Sequence, residues 1–384
     1  MRILHYFSHI DFAEGGVARS IVDMAITLHR AGIECPVCCA SCSDGVREEL
    51  ESAGVPMVEL PSHASRLGRY PRASLEMISS EIGRADVVHL HTPWEPTNLQ
   101  VARVCRRLGT PYVLSTHGMF TSWAMSQKRA KKRLYYSLFT RRVLRDCART
   151  VQTSLAEQQG SSRWIAGTPS TVIPLPIDWE LAEHPTMRSS SVTGAEAAER
   201  RTTMLFLSRV VPNKGIEQCI RALPAIRQRF ESILFNIVGP YEEEYRSHLE
   251  NVASDLGLPD AIRFLGMVRG EEKIRLYDTA DVFVCPSEHE NFGLVVLESI
   301  VRGTPVVITE GVALSRDLAG LEFASVIEDD RPDTIAHATI EMLTHADASL
   351  RASGEEWVRQ HFASDVIASR YASLYEEVRA AVTR

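Results

Sequence analysis

Hydrophobic and polar positions alternate with two periods along the first half of the chain. An apolar residue at every third or fourth position predicts a helix over residues 17–32, which ends at Gly32. Short apolar runs predict strands at 2–7, 33–40, 86–91, 111–116, 150–154 and 171–175. This rhythm is typical of a parallel sheet with helices on both faces.

The rhythm stops over residues 178–202, which are polar, contain a serine run and show no apolar period. We interpret them as a linker. Strands are then predicted at 204–208, 233–239, 262–266, 281–287, 304–309 and 325–327, and helices at 333–347, 352–361 and 364–382. The pattern therefore predicts an α/β protein with two doubly wound, Rossmann-like domains, residues 1–177 and 203–362, and a final segment over 363–384.

Composition narrows the class of protein. The chain has 384 residues, of which 45% are hydrophobic and 24% are charged, as in an ordinary globular protein. A net charge of −7 argues against nucleic acid as a partner. No apolar run is long enough to span a bilayer, and the first residues do not resemble a signal peptide. We therefore expect a cytoplasmic protein.

Four of the eight cysteines lie in the stretch CPVCCASC, residues 35–42, which contains two overlapping C-x-x-C spacings. A zinc site is one interpretation. However, Cys35 and Cys38 would point to opposite faces of a strand and could not share a metal. A buried strand with small apolar cysteines is therefore the preferred interpretation.

Two loops of the first half carry candidate chemistry. The loop EGGVARS, with Gly15 and Gly16, follows the first strand and opens the first helix, where unpaired amides can bind an anion. A plain tight turn is the alternative. His117 follows the strand 111–116, where an imidazole can donate to a substrate oxygen or act near neutral pH. The alternative is a histidine that only caps a loop.

The first loop of the second half carries two cations. Arg209 and Lys214 follow the strand 204–208. A forked guanidinium and a mobile ammonium on one loop suit a diphosphate, although an exposed basic loop is the alternative. The chain lacks G-x-G-x-x-G, which counts against a dinucleotide-dependent oxidoreductase.

Two glutamates lie at either end of the apolar run in SEHENFGLVVLE, residues 287–298. The pattern predicts a helix that starts near Gly293 or Leu294, with Glu298 on its apolar stripe. A carboxylate there needs hydrogen-bond donors. The two hydroxyls of a ribose would supply them, and a structural arginine or lysine is the alternative. Glu290 lies in the preceding loop, beside amides that can hold a phosphate or a sugar.

Together, ENFGLVVLE, the preceding PS and the following GTPVV (303–307) closely resemble the retaining nucleotide-sugar glycosyltransferases of family four, the group 1 transferases. The resemblance extends to the Gly-Gly loop, DVVHLHTPW (86–94), STHGM (115–119) and LGMVRGEEKIRLYDTADVFVCPS (265–287). It implies a GT-B fold, in which two Rossmann-like domains face an interdomain cleft. The last helix of such a fold, here within 363–384, returns to the first domain.

The resemblance also assigns roles. Arg209 and Lys214 would hold the donor diphosphate, Glu298 the ribose, and His117 would lie beside the transferred sugar. The expected catalytic residues are His117, Glu290, Arg209 and Lys214. Other donor contacts would come from two glycine-containing loops, at Gly15, Gly16, Glu290, Asn291, Phe292, Gly293 and Leu294.

The reaction that the resemblance implies is hexosyl transfer with retention of configuration, through attack of the acceptor on the same face. No protein nucleophile is expected. The sequence contains no D-x-D stretch, and Arg209 and Lys214 can stabilise the leaving diphosphate. We therefore expect no metal and no cofactor, with a nucleotide-diphosphate sugar as substrate and a saccharide or lipid-linked acceptor as partner.

Two departures from the family pattern leave the donor open. They are residues 173–178, IPLPID, and the short Val238-Gly239-Pro240. A sugar-nucleotide epimerase of the same fold and a non-catalytic sugar-nucleotide-binding scaffold remain alternatives. A phosphorylase is disfavoured because no motif for a pyridoxal-phosphate lysine is present.

A strongly basic stretch lies over residues 126–147, SQKRAKKRLYYSLFTRRVLRDC. Its cations alternate with leucines and aromatic residues, as in a basic amphipathic helix. Such a helix indicates an anionic membrane surface or a lipid-linked phosphate acceptor, and hence a peripheral location at the inner face of the membrane. A solvated helix face is the alternative.

Overall fold

The structure is a computed structural model that describes residues 1–14, 16–65, 68–165, 167–177, 181–182, 184 and 201–382. The chain divides into two compact units. Unit 1 comprises Met1–Pro176 and Phe362–Arg384, and unit 2 comprises Ile177–His361. Most of the linker predicted over 178–202 lies outside the described residues.

Unit 1 is built on a seven-stranded parallel sheet in the order β5-β3-β1-β6-β7-β8-β9. Its strands are β1 Ile3–Tyr6, β3 Val37–Cys39, β5 Met57–Glu59, β6 Val87–His91, β7 Tyr112–Ser115, β8 Arg149–Gln152 and β9 Ser170–Val172. A separate parallel pair consists of β2 His9–Ile10 and β4 Ser41–Cys42. The apolar runs predicted the sheet except for β5, a three-residue edge strand that ends in the exposed, charged Glu59.

The helices that precede β9 in unit 1 are α1 Gly16–Arg30, α2 Asp44–Ser52, α3 Arg72–Arg84, α4 Asn98–Leu108, α5 Ser122–Ser126, α6 Arg129–Tyr135, α7 Arg141–Arg145 and α8 Leu155–Ser161. Apolar side chains of α1 pack against β1, because Met24 and Leu28 join Ile3 in one buried cluster. The helix thereby covers one face of the sheet.

Unit 2 is built on a six-stranded parallel sheet in the order β12-β11-β10-β13-β14-β15. Its strands are β10 Thr202–Leu207, β11 Ile233–Val238, β12 Ile262–Gly266, β13 Val282–Cys285, β14 Val306–Thr309 and β15 Ala324–Ile327. Its helices are α9 Ile216–Arg229, α10 Glu243–Asp255, α11 Gly270–Thr279, α12 Leu294–Val301, α13 Ser315–Leu318, α14 Pro332–His345 and α15 Ala348–Phe362. The prediction of two doubly wound parallel domains is confirmed.

The last helix, α16 Ser364–Val382, packs within unit 1. Ile367, Tyr371 and Tyr375 are buried in the same cluster as Ile3 and Val87 of the sheet. The apolar stripe of this helix therefore forms part of the core of unit 1.

Each sheet has one point at which the strand order reverses. In unit 1 the reversal lies between β1 and β6, and in unit 2 it lies between β10 and β13. Loops that leave neighbouring strands at such a point diverge and leave a crevice at the carboxyl ends of the strands. In unit 2 the loops that carry Lys214 and Glu290 leave the two strands at this point, whereas in unit 1 His117 follows β7, one strand beyond the reversal.

Three of the four cysteines of residues 35–42 belong to the core of unit 1, and Cys42 is partly buried. Cys38 and Cys39 lie in β3, and Cys35 is buried before it. Burial raises the pKa of Cys35 and Cys39 to about 12, which keeps both as thiols rather than as the thiolates that bind metals. The buried-strand interpretation is confirmed.

The basic stretch differs from the single amphipathic helix predicted over 126–147. A break at Lys128, which has φ of +50°, separates α5 from α6. A π-helical segment, Tyr136–Thr140, then connects α6 to α7. Within the described residues, no helix has both the length and the apolar character needed to cross a membrane.

Candidate functional site

Lys214 and Glu290 form an ion pair at the strand reversal of unit 2. Lys214 ends a 3-10 turn after β10, and Glu290 lies in the loop after β13. The lysine Nζ atom is 2.5 Å from Oε2 of Glu290, and Lys214 is only 5% exposed. A buried ammonium needs acceptors for three N–H bonds, so it attracts any anion that enters this crevice.

The two loops are held together by close backbone contacts. The amide of Glu288 donates to the carbonyl of Asn213 at 3.1 Å. Gly215 has φ of +69°, and a Cβ atom at this position would lie 2.3 Å from the carbonyl oxygen of Pro286. Only glycine fits there, which fixes the turn that carries Lys214.

Arg209 lies on the same loop as Lys214 but is not part of the ion pair. Its side chain is exposed, and none of the described residues pairs with its guanidinium. A second close approach shapes this loop, because a Cβ atom on Gly239 would lie 1.8 Å from the carbonyl oxygen of Ser208. The structure therefore places Arg209 on the loop of Lys214 as a cation that remains available to an anion.

The loop that carries Glu290 is tied to the next loop of the sheet. The amide of Glu290 donates to Gly311 at 2.9 Å, and its carbonyl accepts from Ala313 at 3.0 Å. Asn291 has a buried Oδ1 atom with no hydrogen-bond partner among the described residues. A buried acceptor of this kind is satisfied when a ligand hydroxyl donates to it.

The same loop ends in the helix α12. Phe292 is buried, and Gly293 adopts φ of +89° directly before the first helical residue, Leu294. The sequence predicted that this helix starts near Gly293 or Leu294, and in the structure it starts at Leu294.

Glu298 is buried on α12 and is satisfied by two groups of α11. Its Oε1 atom accepts from Nζ of Lys273 at 2.8 Å, and its Oε2 atom accepts from the hydroxyl of Tyr277 at 2.8 Å. A structural lysine was the alternative to ribose hydroxyls, and the structure contains that lysine. Burial, followed by the charge of Glu298, raises the pKa of Tyr277.

Lys273 and Tyr277 were missed at the level of sequence. Their spacing of four residues on a helix was the available signal, because it places both side chains on one face. The sequence alone did not show that this face meets Glu298.

His117 follows β7 in a loop with a left-handed backbone, φ of +47°. The next amide, of Gly118, donates to Oε1 of Glu157 at 2.5 Å, and Thr116 donates to the same oxygen at 2.6 Å. Glu157 is buried on α8. A left-handed backbone costs conformational energy in a residue other than glycine, and such strained residues are enriched at functional sites. Glu157 therefore stabilises the strained backbone of this loop. The sequence did not predict this contact.

Three further histidines lie beside His117 in unit 1. Nδ1 of His91 is 3.2 Å from Nε2 of His117, and Nε2 of His91 is 3.1 Å from Nδ1 of His5. His89 stacks on His91 with ring centroids 4.5 Å apart. Burial lowers the pKa of His117 to about 4 and the pKa of His5 to about 3, so both are uncharged at neutral pH.

The Gly-Gly loop is described only in part. Gly15 lies outside the described residues, and Gly16 is the first residue of α1. A Cβ atom on Gly16 would meet nothing within 4 Å, so the surrounding chain does not demand glycine there.

A cavity of about 450 Å³ lies in unit 1 at the carboxyl ends of β1 and β3. Glu95 and Thr97 line it on one side, and His9 and Ser41 on the other. Oε1 of Glu95 accepts from the hydroxyl of Thr97 at 2.8 Å. Hydroxyl, imidazole and carboxylate groups around one cavity suit a ligand with several hydroxyls.

Two segments match known protein families. Residues 14–181 match the family described as glycosyltransferase family 4, and residues 193–356 match the family described as glycosyl transferases group 1. The two segments together span most of the chain.

The matched relatives agree with these families. A phosphatidyl-myo-inositol mannosyltransferase of Mycobacterium leprae is 29% identical over 95% of this chain and 93% of its own. A GDP-mannose:cellobiosyl-diphosphopolyprenol α-mannosyltransferase of Xanthomonas oryzae is 26% identical over 77% of this chain and 73% of its own. The crystal structure of Anabaena HepE with UDP superimposes with a TM-score of 0.77 at 19% identity, covering 98% of this chain and all of that one.

The two doubly wound sheets place the chain in the GT-B fold class. Within that class, the chain belongs to glycosyltransferase family 4, the group 1 transferases.

Proposed function

We propose that the enzyme transfers a hexosyl group from a nucleotide-diphosphate sugar to a saccharide or lipid-linked acceptor, with retention of configuration and without a metal. The pathway we propose is the synthesis of a cell-surface polysaccharide or a glycolipid. The observation that carries the proposal is the buried Lys214 ammonium at the strand reversal of unit 2, with the exposed Arg209 on the same loop.

These two cations support the chemical step. Breakage of the bond between the anomeric carbon and the phosphate oxygen leaves positive charge on the sugar ring and negative charge on the departing diphosphate. Fixed cations beside the diphosphate stabilise that negative charge, and stabilisation of this kind usually contributes more to catalysis than any other single effect. The acceptor oxygen attacks the same face, and its proton moves to the departing phosphate oxygen. The proposed roles of Lys214 and Arg209 therefore require no divalent cation.

The loop after β13 is proposed to hold the donor sugar and its phosphate. Glu290 would exchange its contact with Lys214 for contact with the sugar when the diphosphate binds to the lysine. The unpartnered Oδ1 of Asn291 supports this role, because a sugar hydroxyl can donate to it. The backbone of Phe292, Gly293 and Leu294, at the start of α12, is proposed to complete the phosphate contact.

Glu298 is proposed to bind the ribose through the lone pairs that the observed contacts leave open. Each of its oxygens can accept two hydrogen bonds, and Lys273 and Tyr277 supply donors to both. These two residues thus hold the carboxylate in place for the ribose hydroxyls. His117 and the Gly15-Gly16 loop are proposed to contact the sugar and the diphosphate from unit 1.

The acceptor is proposed to bind to unit 1. The cavity beside Glu95 and Thr97 has hydroxyl, imidazole and carboxylate groups in its lining, which can bind the hydroxyls of a saccharide. The names of the two mannosyltransferase relatives refer to lipid-linked acceptors and, in one case, to GDP-mannose as donor. We therefore propose GDP-mannose as the first donor and a polyprenyl- or phosphatidyl-linked acceptor as the first acceptor to be tested.

We further propose that the helices α5–α7 contact an anionic membrane surface at the inner face of the membrane. Trp123, Leu134 and Leu138 are exposed there, and Leu134 is exposed by 63%. Exposed cations lie between them, among them Lys131, Arg133, Arg141 and Arg142. Apolar side chains interspersed with cations are what an interfacial helix requires.

A transfer assay tests the proposed function. The protein would be incubated in EDTA with UDP-, GDP- or ADP-sugars and with membrane-lipid acceptors, and the released nucleoside diphosphate would be measured together with the anomeric configuration of the product by NMR. Release with one nucleotide class and a retained anomer supports the proposal. Donor binding without any transfer would favour a sugar-nucleotide-binding scaffold, and a change in the donor sugar itself would favour an epimerase.

A further inference from the structure

Three buried histidines of unit 1 form a hydrogen-bonded chain, which we call the histidine row: His5, His91 and His117. His5 lies in β1, His91 ends β6, and His117 follows β7. The two contacts are Nδ1 of His5 to Nε2 of His91 at 3.1 Å, and Nδ1 of His91 to Nε2 of His117 at 3.2 Å. Every contact joins an Nδ1 atom to the Nε2 atom of the next ring.

A neutral imidazole has one N–H donor and one lone pair. If the proton of His91 lies on Nδ1, that atom donates to His117, and the free Nε2 atom must accept from His5. If the proton lies on Nε2, both directions reverse. The histidine row therefore has only two satisfied arrangements, with the proton on Nδ1 in every ring or on Nε2 in every ring.

The inner end of the row distinguishes the two arrangements. Nε2 of His5 is buried and has no hydrogen-bond partner among the described residues. With protons on Nε2, this end would be a buried N–H without an acceptor. With protons on Nδ1, it is only a buried lone pair. Buried N–H groups without partners are the rarer of the two in proteins, so the end of the row favours protons on Nδ1.

The outer end of the row is Nδ1 of His117. None of the described residues forms a hydrogen bond with this atom, whereas Nε2 of the same ring is engaged by His91. The loop is fixed by Glu157, which accepts from the amide of Gly118. The ring of His117 is thus held on one side and has an unused Nδ1 atom on the other.

A metal site is the alternative explanation for buried histidines at this place, and the geometry disfavours it. His5, His89 and His91 are close enough to be considered as ligands. However, their rings are stacked, with interplanar angles of 12° to 29°. A metal lies in the plane of each imidazole that binds it, and nearly parallel stacked planes share no such point. Both nitrogens of His89 are also engaged, with Tyr375 and Ser115 at 2.7 Å each.

We propose that the histidine row fixes His117 as a neutral imidazole with its proton on Nδ1, so that this N–H donates to an oxygen of the bound substrate. His5 and His91 are then positioning residues, which act through His117. The proposal rests on the proposed function for the identity of the substrate, but the position of the proton does not depend on it. His117 acts as a hydrogen-bond donor and not as a general base.

The electrostatics agree with an uncharged row. Burial lowers the pKa of His91 well below its ordinary value, as it does for His5 and His117. No ring of the row is protonated twice at neutral pH. The direction of the hydrogen bonds, and not a positive charge, therefore decides what His117 offers to the substrate.

The direct test is nitrogen NMR of the full chain labelled with ¹⁵N-histidine, at pH 7. The signals of His117 are assigned by their loss in His117→Asn. We expect the chemical shift of a protonated Nδ1 and an unprotonated Nε2 for His117. The reverse pattern, or averaged shifts, would overturn the proposal. So would stoichiometric zinc in the purified protein that broadens the signals of His5, His89 and His91.

Two matched pairs of variants test the consequence. The amide of Asn can replace a donor at Nδ1, and the amide of Gln can replace a donor at Nε2. We therefore expect kcat of His117→Asn to exceed that of His117→Gln by about tenfold, which is about the net contribution of one hydrogen bond. Equal activities, or the reverse order, would contradict a donor at Nδ1.

The second pair changes His91. In His91→Asn the side-chain amide can still donate to Nε2 of His117. In His91→Phe the side chain has no donor. We expect His91→Phe to lose about tenfold in kcat relative to His91→Asn, with the KM for the donor unchanged, and to show averaged shifts for His117. A purely structural role would lower the melting temperature without changing the tautomer. The exposed His337, with 78% of its side chain accessible, gives the control His337→Asn.

The outcomes separate this proposal from the proposed function. A protonated Nδ1 in a protein that transfers no sugar supports the histidine row and rejects the transferase. Sugar transfer by a protein whose His117 carries its proton on Nε2 rejects the histidine row and leaves the transferase intact.

Discussion

The Nζ atom of Lys214 lies 2.5 Å from Oε2 of Glu290, and this pair connects the loops after the neighbouring strands β10 and β13. Because Lys214 is buried, the carboxylate of Glu290 supplies the negative charge that its ammonium requires. A donor diphosphate carries more negative charge than one carboxylate. The diphosphate can therefore replace Glu290 as the partner of Lys214, and the carboxylate of Glu290 can then contact the sugar.

Lys214→Ala should abolish this exchange. We expect kcat/KM for the donor to fall about 100-fold, which is the usual cost of losing one preorganised charge contact in a transition state. Steady-state kinetics of donor turnover measure the effect. Arg331→Ala is the matched control, because Arg331 is exposed by 76% and pairs only locally with Asp329. A donor kcat/KM equal to that of the control would rule out the proposed role of Lys214.

Gly215→Ala should disturb the same site through the backbone. The new Cβ atom would lie 2.3 Å from the carbonyl oxygen of Pro286, and φ is already +69°. We expect a loss of unfolding free energy of more than about 2 kcal/mol, because a clash adds to the ~1 kcal/mol cost of the left-handed conformation. Gly257→Ala is the control, since Gly257 has φ of +71° and its Cβ atom would meet nothing within 4 Å. Urea unfolding of unit 2 measures the free energy of unfolding of both variants. Equal losses would mean that the contact with Pro286 does not contribute to the destabilisation.

Much of the fold could be predicted because parallel strands are buried on both faces and therefore read as continuous apolar runs. The edge strand β5 was not predicted, because the exposed, charged Glu59 ends its apolar run after two residues. The basic stretch was predicted as one helix because composition does not reveal the left-handed backbone at Lys128.

The candidate site was predictable where a side chain follows a strand. Lys214, Glu290 and His117 all do so. The partners of Glu298 could not be predicted, because contact between α11 and α12 is a tertiary property that no local pattern encodes. The histidine row was missed for a similar reason, since its members come from separate strands of one sheet.

Glu298→Gln should show how much the buried carboxylate contributes to stability and how much it contributes to donor binding. The substitution keeps the shape but removes the charge that pairs with Lys273. We expect unit 2 to lose about 1–3 kcal/mol of unfolding free energy, because a hydrogen-bonded charge at a site only 6% exposed is disrupted. We also expect the KM for the donor to rise about tenfold, through the weakened ribose contact. Donor kinetics and urea unfolding measure these effects, and a stability loss with an unchanged KM would assign Glu298 a structural role alone.

The buried histidines should make unit 1 sensitive to acid. The pKa of His5 is lowered to about 3 and that of His117 to about 4, whereas unfolded histidines bind protons near pH 6.5. Below pH 6.5 the unfolded chain binds protons that the folded chain does not, so stability is complete above that pH and falls as the pH decreases. Each such histidine contributes about 1.4 kcal/mol per pH unit between pH 6.5 and its folded pKa.

Hydrogen exchange of the seven-stranded sheet between pH 7 and pH 5 measures this slope. His5→Gln should reduce the slope by about one proton, and the exposed His337→Gln should leave it unchanged. A stability of unit 1 that is independent of pH over this range would show that the histidines do not remain neutral.

The membrane contact can be tested by flotation with liposomes. We expect the protein to float with anionic vesicles at low salt, and we expect the double variant Leu134→Ser/Leu138→Ser to bind at least tenfold more weakly, because it loses most of the exposed apolar area of α6 and the following segment. Arg331→Ala again serves as the control. Absence of binding to anionic vesicles at low salt would reject the membrane surface.

The central claim is that unit 2 binds a nucleotide-diphosphate sugar through Lys214, and calorimetric titration with UDP-, GDP- and ADP-sugars in EDTA tests it most directly. We predict binding of one nucleotide class to the unmodified protein, and binding at least tenfold weaker to Lys214→Ala. Binding to none of the three by a folded protein, or equal binding by both proteins, would contradict the claim.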